Sequence, residues 1–348
     1  MVEDFTPLFD TGEVKTKRAP RNRTLTLTPG DQAALWTKVR TIQHHAQPSD
    51  LLDQVIHQDL MAVLPHLPPA FVDLLILDPP YNLAKDFNGR TFQKQPVEAY
   101  TKWMESWFLP LIRVLKPTAS IYVCGDWLTS ASIFHVLRAR CNIRNRITWE
   151  REKGRGAKTN WKNCSEDIWF ATVSDDYCFD PEAVMLKRRV LAPYRLEGQP
   201  KDWRTEDGGS FRLTHPSNFW SDITVPFWSM PENTDHPTQK PEKLIAKLVL
   251  ASSKPGAVVM DPFLGSGTTA VVAYKLGRQF VGIEIDETYC LLALKRLAVA
   301  KDDKTIQGYA NGVFWERNTL AEQLRATGSK NGERASLDST QSLLLEVA

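Results

Sequence analysis

Two short apolar runs, residues 71–77 and 257–260, each stop at an Asp-Pro pair, Asp78-Pro79 and Asp261-Pro262. An apolar run of this length is consistent with a strand buried on both faces. Proline ends its ladder, because it lacks the N–H that a neighbouring strand would use. Similar runs stand at 119–124, closed by Gly125, and at 279–283, closed by Glu284, with further strand patterns at 146–149 and 167–172. Helix-period segments alternate with them at 97–115, 131–140, 268–276 and 286–300, and 241–252 has the pattern of an amphipathic helix. Buried strands alternating with helices predict one doubly wound α/β sheet.

The alternation breaks between 174 and 235, a stretch rich in Pro, Gly, Asp and Trp. A long irregular stretch inside a compact chain is usually functional. The 348 residues therefore read as one α/β domain with a large insertion, flanked by a flexible basic arm at 1–48 and a polar appendage at 301–348. Its two halves are 49–173 and 236–300. The arm is expected to hold a single helix around 31–44.

Composition narrows the function classes. Hydrophobic residues make up 42% and charged residues 24%, as in ordinary globular proteins, so a disordered or fibrous chain is excluded. No apolar run approaches the length of a membrane span, and no export signal opens the chain, so a cytoplasmic protein is expected. The five cysteines form no CxxC pair and the seven histidines no ligand spacing, so neither a disulfide framework nor a metal site is expected. The net charge of +2 gives no general attraction to polyanions. Between Arg144 and Lys162, however, seven basic residues face two acidic ones. That cluster reads either as a solvated face or as an edge for phosphates, and the eleven tryptophans, Trp220 among them, either pack or stack on bases.

Two segments can carry chemistry. In Asp261-Pro262-Phe263-Leu264-Gly265-Ser266-Gly267-Thr268, glycines after a strand and before a helix let a ligand approach the backbone. The segment lacks the third glycine of the dinucleotide fingerprint and the Lys-Ser/Thr of a P-loop. Glu284, nineteen positions after Gly265 and ending the next strand, suits ribose hydroxyls, so the pocket fits a nucleoside without a pyrophosphate. In Asp78-Pro79-Pro80-Tyr81, two prolines stiffen a turn that offers a carboxylate, a carbonyl and an aromatic ring. Together these suit a planar base bearing an exocyclic amine.

With these residues assembled, the chain resembles the β group of S-adenosylmethionine-dependent amino-DNA methyltransferases. Asp78-Pro79-Pro80-Tyr81 comes first and Phe263-Leu264-Gly265-Ser266-Gly267 last, as in that group. The segments 236–244, His57-Gln58-Asp59 and 145–170 are also similar to it, with Cys164-Ser165-Glu166 where many members have His-Glu, and Gln58 where many have Gly. The resemblance covers about residues 50–300. It implies a Rossmann-like methyltransferase sheet, mixed but mostly parallel, with 174–235 as the target-recognition region. The implied cofactor is S-adenosyl-L-methionine, held by Asp59, Asp78, Thr238, Lys240, Asp261, Phe263, Gly265, Gly267, Thr268 and Glu284. The implied catalytic group is Asp78, the Pro79 carbonyl and Tyr81, acting on a base flipped out of double-stranded DNA.

On the same resemblance, Arg151, Lys153, Arg155 and Lys158 contact phosphates, while Arg195, Arg204 and Trp220 read sequence. The expected product is N6-methyladenine, because N4-cytosine members commonly carry Ser where this chain has Asp78. The alternatives kept open are a cytosine N4-methyltransferase and a non-catalytic DNA-binding relative; a cofactor-binding oxidoreductase is the weakest, since the pyrophosphate fingerprint fails. A restriction–modification setting is implied, with a cognate endonuclease as a partner in function, and either a monomer or a homodimer.

Overall fold

The computed structural model describes residues 20–151, 161–190, 194–206, 209–319 and 322–323. Eight strands form the central sheet: β1 (Gln54–His57), β2 (Val72–Leu77), β3 (Leu115–Gly125), β4 (Asn142–Glu150), β5 (Ser165–Thr172), β6 (Phe219–Trp220), β7 (Val258–Asp261) and β8 (Gln279–Glu284). Their spatial order is β1-β8-β7-β2-β3-β5-β4-β6. Neighbours run parallel except where β5 pairs antiparallel with β3 and β4. The expected doubly wound, mostly parallel sheet is therefore present.

The apolar runs explain why it is covered on both faces. Leu74 and Ile76 of β2 join one apolar cluster, and Leu75 and Leu77 join the other. Helices α2 (Val97–Ile112) and α3 (Thr129–Arg138) cover the second cluster. The first lies under α4 (Glu242–Ser252), α5 (Thr268–Lys275) and α6 (Glu287–Asp302), while α1 (Pro29–Trp36) packs beside α6. Each fully buried aliphatic side chain in these layers contributes about 1.5–3 kcal/mol.

The parallel strands bring their carboxyl ends to one edge. Because β1, β8, β7 and β2 are adjacent in that order, Asp59, Glu284, Asp261 and Asp78, at or just past their ends, form a row along that edge. Strand β5 runs the other way, so its first residues reach the same edge, with Glu166 opposite Trp149 near the end of β4.

Several expectations need correction. Within the segment read as a flexible arm, residues 20–48 pack on the body. Arg23 and Leu25 donate backbone hydrogen bonds to Trp228 and Asn233, and Lys295 bonds the Thr26 carbonyl and the Asp31 carboxylate. The helix there is Pro29–Trp36, started by a capping box between Thr28 and Asp31 rather than extending to His44.

The irregular block contains strands. Leu186–Arg189, Arg204–Glu206 and Gly209–Thr214 form an antiparallel sheet. The appendage completes it: Val313–Trp315 pairs parallel with Leu186–Arg189. The three strands of the block are short and carry charges, and Val313–Trp315 is only three residues long, so no sustained apolar run announces them.

Helix α4 is not amphipathic in its setting. Lys243 and Lys247 on its polar side are buried and bind the buried Asp222 carboxylate at 2.7 and 2.8 Å. Trp220, expected to read DNA, is buried here as well, with its ring 4.8 Å from the Lys247 ammonium and its Nε1 donating to the Ser217 carbonyl. Burial lowers Lys247 to about 8, opposed by the Asp222 charge. The cluster fastens the inserted block to the sheet, since breaking a buried pair by removing one partner costs about 3–5 kcal/mol.

Candidate active site

A cavity of about 480 Å³ opens at the sheet edge and is lined by both motif segments. One wall of it is the Asp78–Tyr81 turn. Tyr100 Oη donates to the Pro80 carbonyl at 2.7 Å, the Asn82 backbone N–H donates to Thr129 Oγ1 at 3.0 Å, and the Asn82 side chain exchanges two 2.8 Å hydrogen bonds with Gln95. The turn is thus held from three sides, which keeps Asp78 and Tyr81 in place.

Lys240 Nζ sits 2.7 Å from both Asp78 oxygens and 3.1 Å from Tyr81 Oη, which itself donates to Asp78 Oδ1 at 3.0 Å. Burial and the Asp78 charge hold the Tyr81 phenol well above its ordinary range, so it remains a donor. Behind Lys240 lies Glu166, paired with Arg151 and 3.5 Å from the Lys240 ammonium.

The opposite wall is built from the glycine segment. Gly265 N–H donates to Glu284 Oε2 at 2.7 Å, and Asp286 N–H donates to Oε1 at 2.9 Å. Burial raises Glu284 despite these bonds. Asp261, also buried, is raised to about 7 while accepting from Thr269 Oγ1 at 2.5 Å and Phe263 N–H at 3.0 Å. Asp59 caps the short helix Leu60–Val63 and is exposed at the rim. Gly265 has φ +54°, and a Cβ there would stand 3.0 Å from His236 Nε2. The His236 ring packs on Tyr289 and accepts from Thr238 N–H through Nδ1. Burial lowers it to about 4, so it is neutral near pH 7.

Asp59, Asp78, Pro79, Tyr81, Thr238, Lys240, Asp261, Phe263, Gly265, Thr268 and Glu284 all line this one cavity. Gly267 does not. A Cβ on it would meet Ala293 Cβ at 2.5 Å, so this glycine, at φ +85°, lets α5 approach α6. Thr268 is tied to the Lys240 carbonyl and to Arg296.

Arg151 corrects its expected role as a phosphate contact. It lines the cavity, pairs with Glu166 and lies over the Trp149 ring at 5.4 Å. Lys153, Arg155 and Lys158 lie outside the described residues. Arg195 and Arg204 are exposed on the inserted block, far in sequence from the motifs. The basic run 187–189 is engaged with Glu316, Glu322 and the rings of Phe211 and Trp315.

Sequence reasoning missed the hairpin Lys85–Phe87 and Arg90–Phe92, which carries Lys85, Thr91 and Phe92 into the cavity. At its tip, Asn88 Nδ2 donates to Asp286 Oδ2 at 3.0 Å, spanning from the Asp78–Tyr81 turn to the glycine wall. Glu166 carried a signal, its likeness to a His-Glu pair, without a role. Charged residues in this hairpin follow no period that would mark them.

The fold and this edge define a DNA methylase: the family model of that description, N6_N4_Mtase, matches residues 72–295, and the chain belongs to that family. Among curated relatives it is similar to the DNA adenine methyltransferase YhdJ of Escherichia coli (strain K12), 35% identical over 71% of this chain and 83% of that one. It is also similar to the type II methyltransferase M.BglII of Bacillus subtilis, 31% identical over 84% of this chain and 83% of that one. The solved PvuII DNA methyltransferase (cytosine-N4-specific) shares the fold, with a TM-score of 0.52 and 17% identity over 72% of this chain and 90% of that one.

Proposed function

We propose that the chain is a site-specific DNA methyltransferase that moves a methyl group from S-adenosylmethionine to the N6 amine of a flipped-out adenine. The observation that carries this reading is the single cavity shared by Asp78 with Tyr81 on one wall and by Gly265 with Glu284 on the other. An acceptor for an amine and an acid for a ribose meet there.

The residues fit the cofactor. The cavity lies in the range of small-ligand sites, roughly 300–1,000 Å³. Leu60, Phe263 and Ile285 supply apolar wall for a nucleoside, and the carboxylates of Asp78 and Asp261 suit a nearby positive sulfonium. Glu284 would take ribose hydroxyls, Asp59 the adenine amine, and Thr238 with His236 the methionine end. When bound, the cofactor supplies an electrophilic methyl group on sulfur.

The chain's own residues do the rest by position and charge. A base inside a duplex cannot reach the cavity, so the target must be flipped out. Tyr81 offers a ring to the base face. Asp78 and the Pro79 carbonyl accept hydrogen bonds from the amine, which draws its nitrogen toward a tetrahedral shape and frees the lone pair for attack. No nucleophilic cysteine takes part: Cys124, which lines the cavity, has its thiol pushed far up by burial.

Adenine is favoured over cytosine by Asp78 and by the adenine-methylating relative at 35% identity. The cytosine-N4 fold neighbour does not weigh against it, because the fold is common to both chemistries. Residues 174–235, together with Val313–Trp315, form the target-recognition part, with exposed Arg195 and Arg204 available to DNA. The likeness to type II methyltransferases supports a restriction–modification role with a cognate endonuclease, in the cytoplasm where the DNA lies. Methylating DNA in vitro, digesting it to nucleosides and identifying the modified one by mass tests the reading. N6-methyladenine is expected, and N4-methylcytosine as the main product overturns it.

A further inference from the structure

Lys240 straddles the two oxygens that the target amine must approach. A carboxylate accepts at about four lone-pair sites, and here three hydrogen bonds, two from Lys240 and one from Tyr81, already converge on Asp78. About one acceptor site is left for the amine, which must share the carboxylate with an ammonium.

The ammonium has a second anion within reach. Glu166 is buried, and its Oε1 is paired with Arg151. Among the described residues its Oε2 has no hydrogen-bond partner, and it lies 3.5 Å from Lys240 Nζ. A buried carboxylate oxygen that accepts no hydrogen bond keeps its desolvation cost uncompensated, so the site gains when a donor moves onto it. Closing 3.5 Å to a charge-assisted hydrogen bond of about 2.8 Å takes less than an ångström of side-chain movement.

We propose that Glu166 is the second seat of the Lys240 ammonium, which leaves Asp78 for Glu166 when the target amine arrives. Glu166 is then a positioning residue for methyl transfer. It acts on Asp78 through Lys240, from the wall of the same cavity. Arg151 holds the Glu166 side chain in place while leaving Oε2 for the lysine. The inference rests on the reading of Asp78 as acceptor for the target amine.

The test compares Glu166→Gln and Glu166→Asp with wild type in single-turnover transfer of tritiated methyl groups to DNA, and in cofactor titration by calorimetry. In Glu166→Gln the ammonium keeps one anion only and stays on Asp78. The transfer rate is expected to fall about 10- to 100-fold, the range for an ångström-scale misplacement near the reacting atoms. Cofactor affinity and the KM for DNA are expected to stay within about twofold. Glu166→Asp, which keeps the charge, is expected to recover part of the rate. In a Lys240→Met background, Glu166→Gln is expected to add no further loss, because the pair acts as a unit.

A wild-type transfer rate in Glu166→Gln overturns the proposal. So does an equal loss in Glu166→Gln and Glu166→Asp, or a loss that persists in full beside Lys240→Met. Wild-type enzyme assayed on the same DNA separates the two readings: if it transfers no methyl group to an amine, the proposed function fails, whatever the variants do.

Discussion

Lys240 and Asp78 stand 162 residues apart in the chain, yet the lysine ammonium lies 2.7 Å from both oxygens of the aspartate. One comes from the loop before α4, the other from the turn after β2, and the adjacency of β7 and β2 brings those elements together. The contact joins the two halves of the sheet at the edge of the cavity, where the proposed chemistry would take place.

Asp78→Asn is expected to cut methyl transfer by about 10²–10³-fold, the loss typical when one preorganised polar contact to the reacting group is removed. The amide keeps the shape and one acceptor but loses the charge that holds Lys240 and polarises the amine. Cofactor binding should fall only a few-fold, because Glu284 and Gly265 remain. Calorimetry and a tritium transfer assay check both halves, and turnover near wild type removes Asp78 from the mechanism.

Glu284→Gln is expected to weaken cofactor binding by about 1–3 kcal/mol. The carboxylate accepts from Gly265 and Asp286, so its loss also loosens the loop. Calorimetric titration measures this, and an unchanged affinity would move the nucleoside elsewhere.

Gly267→Ala and Gly265→Ala should fail differently. At 267 the new methyl overlaps Ala293 at 2.5 Å, in a left-handed backbone, so the variant loses stability by about 1–3 kcal/mol. At 265 the backbone is left-handed too, but the methyl meets His236 at 3.0 Å beside the cavity, so the melting temperature falls less than at 267 and cofactor affinity falls more. Thermal unfolding and titration of both variants separate packing from binding.

The raised Asp261 gives a pH signature. Its carboxyl ordinarily titrates at 3.8 and in the fold at about 7. The stability it contributes is therefore fully present below 3.8 and is lost as pH rises through 7, because the native state binds the extra proton. Asp261→Asn mimics the protonated form and should gain on wild type between pH 5.5 and pH 8.5. Urea unfolding at both values tests the sign. A difference between the two proteins that does not change with pH contradicts it.

Arg151→Ala should slow methyl transfer without changing the salt dependence of DNA binding. Its side chain is 16% exposed and committed to Glu166. A residue that neutralises a DNA phosphate adds about 0.9 to the slope of log affinity against log salt, and its removal takes that amount away. A slope reduced in Arg151→Ala would return this residue to the DNA surface.

The sequence by itself determined the sheet and most of the cavity. Apolar runs ended by Asp78-Pro79, Asp261-Pro262 and Glu284 mark buried strands and place their acids at carboxyl ends, because the period of a strand and the missing N–H of proline act locally. Parallel pairing then gathers those ends on one edge, a consequence of topology that the alternating pattern already implied. What the tertiary structure decided are the contacts between distant segments. Arg151 turned inward to Glu166, Trp220 was buried over Lys247, and the lysines of α4 were enclosed by Asp222. The strand Val313–Trp315 crossed from the chain's end to complete the inserted sheet. In each of these, a polar or aromatic side chain looks the same in sequence whether it faces water or a partner. Its fate depends on which element, far along the chain, comes to lie against it.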